Sequence, residues 1–175
     1  PKVVALLLEK GASSDGINLS SIDPDDEQDL PFLKKAKKKA ALVDSDVWSR
    51  SGDDLLAKVK DLLDNGADVH AVDRYKRTAL HFAAMKQAGL EVVKKLLEKD
   101  AVVNAVDEDK KTPLHYAAEN KAGPEVVEKL LEKVADVNAV DKDDRTALYY
   151  AVEYQSLPKV VALLLEKGAS SDGIN

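Results

Sequence analysis

Two internal repeats constrain what this chain can fold into. Residues 1–18 read PKVVALLLEKGASSDGIN, and the same 18 residues return without a mismatch at 158–175. Between these copies, the heptapeptide TALHFAA at 78–84 recurs 34 positions later as TPLHYAA at 112–118, and more weakly as TALYYAV at 146–152. A fixed period of roughly 20–50 residues indicates stacked structural repeats.

Each period contains a second motif that predicts a second helix. The segments EVVKKLL, EVVEKLL and KVVALLL occupy residues 91–97, 125–131 and 159–165. Their apolar residues fall at i, i+1, i+4 and i+5, which is one stripe of an α-helix. Pro124 and Pro158 precede two of these stripes, where the first turn of a helix tolerates proline.

The remaining parts of each period predict a short first helix and a turn. The heptapeptide suits a short helix opened by threonine as a cap. The polar run before it, which ends in Asp73, Asp107 or Asp141, predicts a turn or hairpin. A single unit of this kind cannot bury its apolar faces alone, so the units must stack.

This pattern resembles the ankyrin-repeat family. The TPLHYAA sequence at 112–118 carries the resemblance most specifically, and it extends over residues 67–168, with 1–18 as a half repeat. The resemblance implies an all-α solenoid of helix-turn-helix units joined by short β-hairpin loops. The family unit is usually one residue shorter, and we expect the extra residue in the turns at 86–89 and 120–123.

Several family glycines are replaced. The glycine after the second helix is kept at Gly11, Gly66 and Gly168, but Asp100 and Val134 occupy the middle units. Valine is costly in a left-handed helix cap, so we expect either a different cap geometry or a loss of stability. The family glycine of the hairpin tip is also replaced, which predicts strained or differently shaped tips at Lys76, Lys110 and Asp144.

We divide the chain into four parts. They are a half repeat at 1–18, a degenerate enlarged repeat at 19–66, three regular repeats at 67–168, and the start of another hairpin at 169–175. In the enlarged repeat we expect an acidic loop over 19–30, helices over 31–42 and 53–64, and Trp48 folded over the core.

A lysine-rich run at 34–39 has two interpretations. It is either a nuclear-import or anion-binding signal, or a solvated helix face paired with the acidic residues of 23–29. The five lysines balance five acidic residues, which favours the second interpretation.

Composition excludes several functions. The chain has 26 basic and 32 acidic residues and a net charge of −6, which argues against a general nucleic-acid binder. No apolar run approaches the ~20 residues of a membrane span. There are no cysteines, which excludes disulfides and thiol chemistry and fits a cytoplasmic or other intracellular location. No catalytic motif is present, so we expect no enzyme activity, cofactor, metal or small-molecule ligand.

The histidines are interpreted as structural. His81 and His115 stand at equivalent positions, and the resemblance implies that they bond to the backbone and the neighbouring threonine rather than to a metal. His70 takes the position of Asn104 and Asn138, which makes it a hairpin residue.

The resemblance also implies a partner-binding groove. In the family, the hairpin tips and the exposed side of the first helix line a concave surface that binds other proteins. Carried over by position, the candidates are Arg74, Tyr75, Arg77, Met85, Lys86, Glu108, Asp109, Lys111, Glu119, Asn120, Lys142, Asp143, Arg145, Glu153 and Tyr154. Tyr75 and Tyr154 are the expected anchors, because aromatic side chains dominate interface energies. The basic residues around Tyr75 predict a protein partner with an acidic patch.

The duplicated segment is compatible with three different functions of the chain. The leading function is a non-enzymatic scaffold for protein–protein interaction. A second is a structural module of a long tandem array or filament, and a third is an engineered duplicated-segment switch or domain-swap scaffold. The duplication could also result simply from where the chain was cut, if the chain is a fragment or a processed product. Uncapped apolar ends predict end-to-end self-association.

Overall fold

The computed structural model of the chain describes residues 31–171, without the side chains of 31–34 and 36. Within that range the chain forms eight α-helices. They are α1 (Pro31–Ala40), α2 (Gly52–Asp64), α3 (Ala79–Met85), α4 (Leu90–Glu98), α5 (Pro113–Glu119), α6 (Pro124–Glu132), α7 (Ala147–Glu153) and α8 (Pro158–Glu166). A single antiparallel bridge, Val72 to Thr78, is the only strand-like pairing in the described residues. The predicted all-α solenoid is confirmed.

The helices pack in two rows. The first helices α3, α5 and α7 contact one another in order, and the second helices α2, α4, α6 and α8 form the other row. Small residues such as Ala83, Ala84, Ala117 and Ala118 are almost fully buried, which lets neighbouring helices approach closely. None of the helices described in residues 31–171 is long and apolar enough to span a bilayer.

The enlarged repeat follows the same plan with a modified first helix. The predicted helix over 31–42 ends at Ala40 and continues as a 3-10 turn at Ala41–Val43, which packs against α3. The predicted helix over 53–64 is confirmed, beginning one residue earlier. Residues 1–30 and 172–175 lie outside the described residues, so the half repeat, the acidic loop and the last hairpin remain predictions.

Trp48 closes the core at this end of the stack. Its side chain is 3% exposed, and its ring stacks on Phe82 with centroids 5.7 Å apart. The indole Nε1 donates a hydrogen bond to the carbonyl oxygen of Leu42 at 2.8 Å, so burial leaves no donor unpaired. The expectation that Trp48 folds over the core is confirmed.

The buried histidines connect one repeat to the next. His81 Nδ1 accepts a hydrogen bond from the backbone N–H of Thr78 at 3.1 Å and lies 2.9 Å from Thr78 Oγ1. Because Nδ1 accepts, Nε2 carries the proton and donates to the carbonyl oxygen of Lys111, 3.1 Å away. His115 repeats these contacts and ends on the carbonyl oxygen of Arg145 at 3.0 Å. Their structural interpretation is confirmed.

Asparagines make a second connection between repeats, to the backbone that follows the second helices. Asn104 Nδ2 donates to the carbonyl oxygen of Val134 at 3.0 Å, and Asn104 Oδ1 accepts from the backbone N–H of Asp136 at 2.8 Å. Asn138 makes the same pair of bonds one repeat later. His70 occupies the equivalent position in the preceding unit, in an exposed turn as expected.

The replaced glycines keep left-handed backbone geometry. Val134 has φ 63° and Asp100 has φ 64°, close to the 87° of Gly168 at the equivalent position. The hairpin tips behave alike, with φ between 58° and 60° at Lys76, Lys110 and Asp144. The cap geometry therefore does not change, and the chain carries the backbone strain instead.

Replacing Val134 by glycine should stabilise the fold. The side chain is 79% exposed, so little packing is lost, while the strain of a β-branched residue at positive φ is relieved. We expect a gain of about 1 kcal/mol in the free energy of unfolding, measured by urea denaturation. Gly168→Val is the matched reverse change and should lose a similar amount, since a Cβ there meets open space. A clear loss of stability in Val134→Gly would contradict this account.

Stability should fall on mild acidification. Burial lowers the pKa of His81 and His115 below the ordinary value of 6.5, against the opposing effect of their backbone hydrogen bonds. The unfolded chain therefore binds more protons than the folded one in this range. The stability contributed by the two neutral histidines is fully present above their pKa in the unfolded chain. It is lost as the pH falls toward their lower pKa in the folded chain. Urea denaturation from about pH 8 to pH 5 measures the slope.

The histidines responsible can be identified by substitution. His81→Gln and His115→Gln should each reduce the slope of unfolding free energy against pH relative to the parent chain. Equal slopes in all three proteins would show that the buried histidines do not carry the effect.

Candidate partner-binding surface

An aspartate closes each of the three hairpin tips, defined as residues 73–77, 107–111 and 141–145. Asp107 Oδ1 accepts from the backbone N–H groups of Asp109 and Lys111, both at 2.9 Å. The Lys111 carbonyl oxygen in turn accepts from the backbone N–H of Asp107 at 3.1 Å. Asp73 and Asp141 make the same contacts at 2.8–3.0 Å. These local bonds fix the turn and present its outer side chains.

The second carboxylate oxygen ties two tips to the first helices. Tyr116 donates its hydroxyl to Asp107 Oδ2 at 2.7 Å, and Tyr150 donates to Asp141 Oδ2 at 2.6 Å. Burial, together with the aspartate charge, raises the pKa of both tyrosines, so they remain protonated donors. Burial alone would raise the pKa of Asp141, but hydrogen bonds from Tyr150 and the Arg145 and Asp143 backbone lower it to about 2.

The first tip replaces the tyrosine bond with an arginine. Phe82 lacks a hydroxyl, and Arg77 Nη2 instead donates to Asp73 Oδ2 at 2.6 Å. The Arg77 guanidinium also lies 4.8 Å from the ring centroids of both Tyr75 and Phe82, and that of Arg74 lies 4.7 Å from Tyr75. The Tyr75 side chain remains 43% exposed, so the ring faces solvent while two guanidinium groups pack against it.

At the second tip, two predicted partner-binding residues engage each other. Lys111 Nζ lies 3.0 Å from Glu119 Oε2 and 4.2 Å from the centroid of the Tyr150 ring. The Lys111 and Glu119 side chains are only 13% and 22% exposed. Their charges are largely neutralised inside the protein, which leaves them little free charge for a partner.

At the third tip the charge of Arg145 is also engaged within the protein. Arg145 donates to Asp141 Oδ2 at 3.1 Å and pairs with Asp143, and its guanidinium lies 5.1 Å from the Tyr150 centroid. Tyr154 follows α7, stacks on Tyr150 with centroids 6.0 Å apart and remains 45% exposed. Glu153 beside it is also exposed.

Hydrogen bonds join neighbouring tips into a row. The backbone N–H of Glu108 donates to the carbonyl oxygen of Tyr75 at 3.1 Å, and that of Lys142 donates to the carbonyl oxygen of Asp109 at 2.9 Å. Lys142 Nζ also lies 2.7 Å from Asp109 Oδ1, a hydrogen bond that raises the pKa of the lysine. The tips therefore hold fixed positions relative to one another.

A cleft of about 320 Å³ opens between the first and second tips. It brings together four of the predicted residues, Tyr75, Arg77, Glu108 and Asp109, with Asp107 and Tyr116 completing its walls. Sequence reasoning did not select these last two as site residues, although their recurrence at the 34-residue spacing was a visible signal.

The remaining predicted residues lie at the ends of first helices. Met85 is half-buried at the end of α3, and Lys86 after it is exposed. Asn120 follows α5, where its side-chain Nδ2 donates to the carbonyl oxygen of Tyr116 at 3.0 Å. Asn120 thus helps to end its helix and has little freedom to rearrange for a partner.

No cluster of side chains that could hold a metal ion is found in the part of the chain that the structure describes. No group of three His, Asp or Glu side chains there converges to hold an ion, and every buried side-chain nitrogen or oxygen has a hydrogen-bond partner. In the lysine-rich run, Lys35, Lys38 and Lys39 are exposed, while the acidic residues expected to pair with them lie outside the described range.

Comparison with known proteins identifies the repeats. A family model described as ankyrin repeats in three copies matches residues 49–141, and one described as ankyrin repeats in many copies matches residues 121–165. A search of curated proteins gives no significant match. The first match alone covers more than half of the chain, and it includes the Thr-His pairs and the closing aspartates described above. The chain therefore belongs to the ankyrin-repeat family.

Proposed function

We propose that this chain binds a polypeptide partner through the row of hairpin tips and first helices, without catalysing a reaction. Ankyrin repeats are generally protein–protein interaction modules and are typically non-enzymatic. The observation that carries the proposal is Tyr75, an exposed ring supported by Arg74 and Arg77 at the edge of the cleft between two tips. A supported aromatic ring loses little side-chain entropy on binding, which suits an interface anchor.

Charge along the row indicates what kind of segment would fit. Arg74 and Lys76 are exposed cations at the first tip, whereas the charge of Arg77 is balanced by Asp73. Glu108 is an exposed anion at the second tip. The proposed ligand is an extended segment with an acidic residue beside Arg74 and a basic residue beside Glu108. Tyr154 and Glu153 would contact the same ligand at the far end of the row.

Peptides selected for binding to the parent chain from a random display library test this assignment. Tyr75→Ala should weaken their binding roughly 10- to 30-fold, as expected for an aromatic anchor. Arg74→Glu should weaken peptides with acidic residues more than peptides without them, because it reverses the local charge. Calorimetric or optical titration of each purified variant gives the affinities.

Matched variants outside the row complete the experiment. Lys133→Glu makes the same charge change beyond the C-terminal end of α6, and Leu165→Ala removes a half-exposed apolar group from α8. Both should bind the selected peptides as the parent chain does. Peptides sensitive to these two changes but not to Tyr75→Ala would place the interface elsewhere and overturn the proposal.

The second candidate is a structural module that assembles end to end. It is favoured by the exposed apolar side chains at the last helix, where Leu157 is 48% and Leu165 49% exposed. Such surfaces promote association when another repeat can cover them. Light scattering should then show a mass that grows with protein concentration, and Leu165→Asp should suppress the growth. A constant monomer mass would remove this candidate and leave the binding function in place.

A further inference from the structure

The last helix occupies a well-defined site, here called the α8 site. It consists of the surfaces of α6 and α7 that contact α8. Val160 and Leu164 are fully buried in it and Leu163 is 9% exposed, whereas Leu165 on the other side of the helix is half-exposed. The site thus recognises a defined apolar stripe of the sequence PKVVALLLE.

The α8 site also holds the backbone that follows the helix. Asn138 Nδ2 donates to the carbonyl oxygen of Gly168 at 3.0 Å, and Asn138 Oδ1 accepts from the backbone N–H of Ser170 at 2.8 Å. Gly168 adopts φ 87° before this contact, a conformation that favours glycine. Recognition therefore covers residues 158–170 and depends on both the apolar stripe and the two hydrogen bonds made by Asn138.

We propose that residues 1–13 are a second ligand for the α8 site of the same chain. They reproduce residues 158–170 without a change. Val3, Leu6 and Leu7 correspond to the buried Val160, Leu163 and Leu164, and Gly11 and Ser13 correspond to the residues that Asn138 holds. Two identical segments have the same intrinsic affinity for one site, so they compete for it.

The connecting chain is long enough for this exchange. Neighbouring helices within a row are about 8–10 Å apart, and α2 and α8 are three steps apart in the second row. The α8 site therefore lies roughly 24–30 Å from the end of the stack that contains α1 and α2. Seventeen residues, 14–30, separate the amino-terminal copy from α1, and a chain of that length spans at most ~56 Å. That length is sufficient for the amino-terminal copy to reach the site of its own chain.

The two segments that tether the competing copies differ in length, and this difference determines which copy occupies the α8 site. The four residues 154–157 connect α8 to α7, whereas the 17 residues 14–30 connect the other copy to α1. Because effective concentration falls as about the 3/2 power of linker length, α8 is favoured on the order of tenfold. A substitution that weakens the binding of α8 to the site more than tenfold should make residues 1–13 the preferred occupant.

A double-mutant cycle in the full chain tests the competition. Leu7→Ala alone should leave the melting temperature unchanged. Leu164→Ala should lower it by only about 3–5 °C, because residues 1–13 then take the site, and the double variant should lose about 8–15 °C. Leu8→Ala and Leu165→Ala are the matched controls at the half-exposed position, and their effects should add. If Leu7→Ala adds nothing to Leu164→Ala, the proposal is wrong.

Two further measurements decide the source of the ligand. A rescue that grows with protein concentration, together with a dimer in sedimentation, would show that a second copy supplies the segment and would overturn the same-chain proposal. A synthetic peptide of residues 1–18 should raise the melting temperature of the double variant and leave the parent chain unchanged. If the double variant fails to fold, Val3→Ala with Val160→Ala gives the same cycle with a smaller change in volume.

Discussion

The hydrogen bond from each buried histidine to the next hairpin is the interaction on which this stack depends. His81 holds the turn around Thr78 through Nδ1 and donates through Nε2 to the Lys111 carbonyl, so one ring fixes two repeats. Its neutral form is required, because the protonated ring has no acceptor for the Thr78 N–H. The aspartate that closes the next hairpin then aligns the side chains outside the tip.

This coupling explains how the chain tolerates an unfavourable local sequence. Val134, Lys76 and Asp144 hold left-handed conformations that glycine would adopt more readily. A repeat on its own has little to hold such a backbone, but neighbouring repeats bond to the same segments, as Asn104 does with the Val134 carbonyl. Contacts between repeats thus compensate for strain within one of them.

Local patterns predicted most of the fold but only part of the candidate surface. Helices α2–α8, the position of Trp48 and the roles of His81 and His115 follow from periodicity and from the family resemblance. The same patterns predicted the partner-binding surface less well. Lys111 was selected as a partner-binding residue, yet its charge is paired with Glu119, and its ammonium group lies against the Tyr150 ring of the next repeat. Asp107 and Tyr116 were not selected, although they line the cleft.

The sequence by itself determined the repeat length, the two helices of each unit and the identity of the duplicated ends. Those properties depend on residues within a few turns of one another, or on direct comparison of two segments. Only the tertiary structure decided which charges face solvent, because an ion pair depends on distances across a hairpin or between repeats. For the same reason it was the packing of α8 that showed which leucines of the duplicated segment are buried in a shared site.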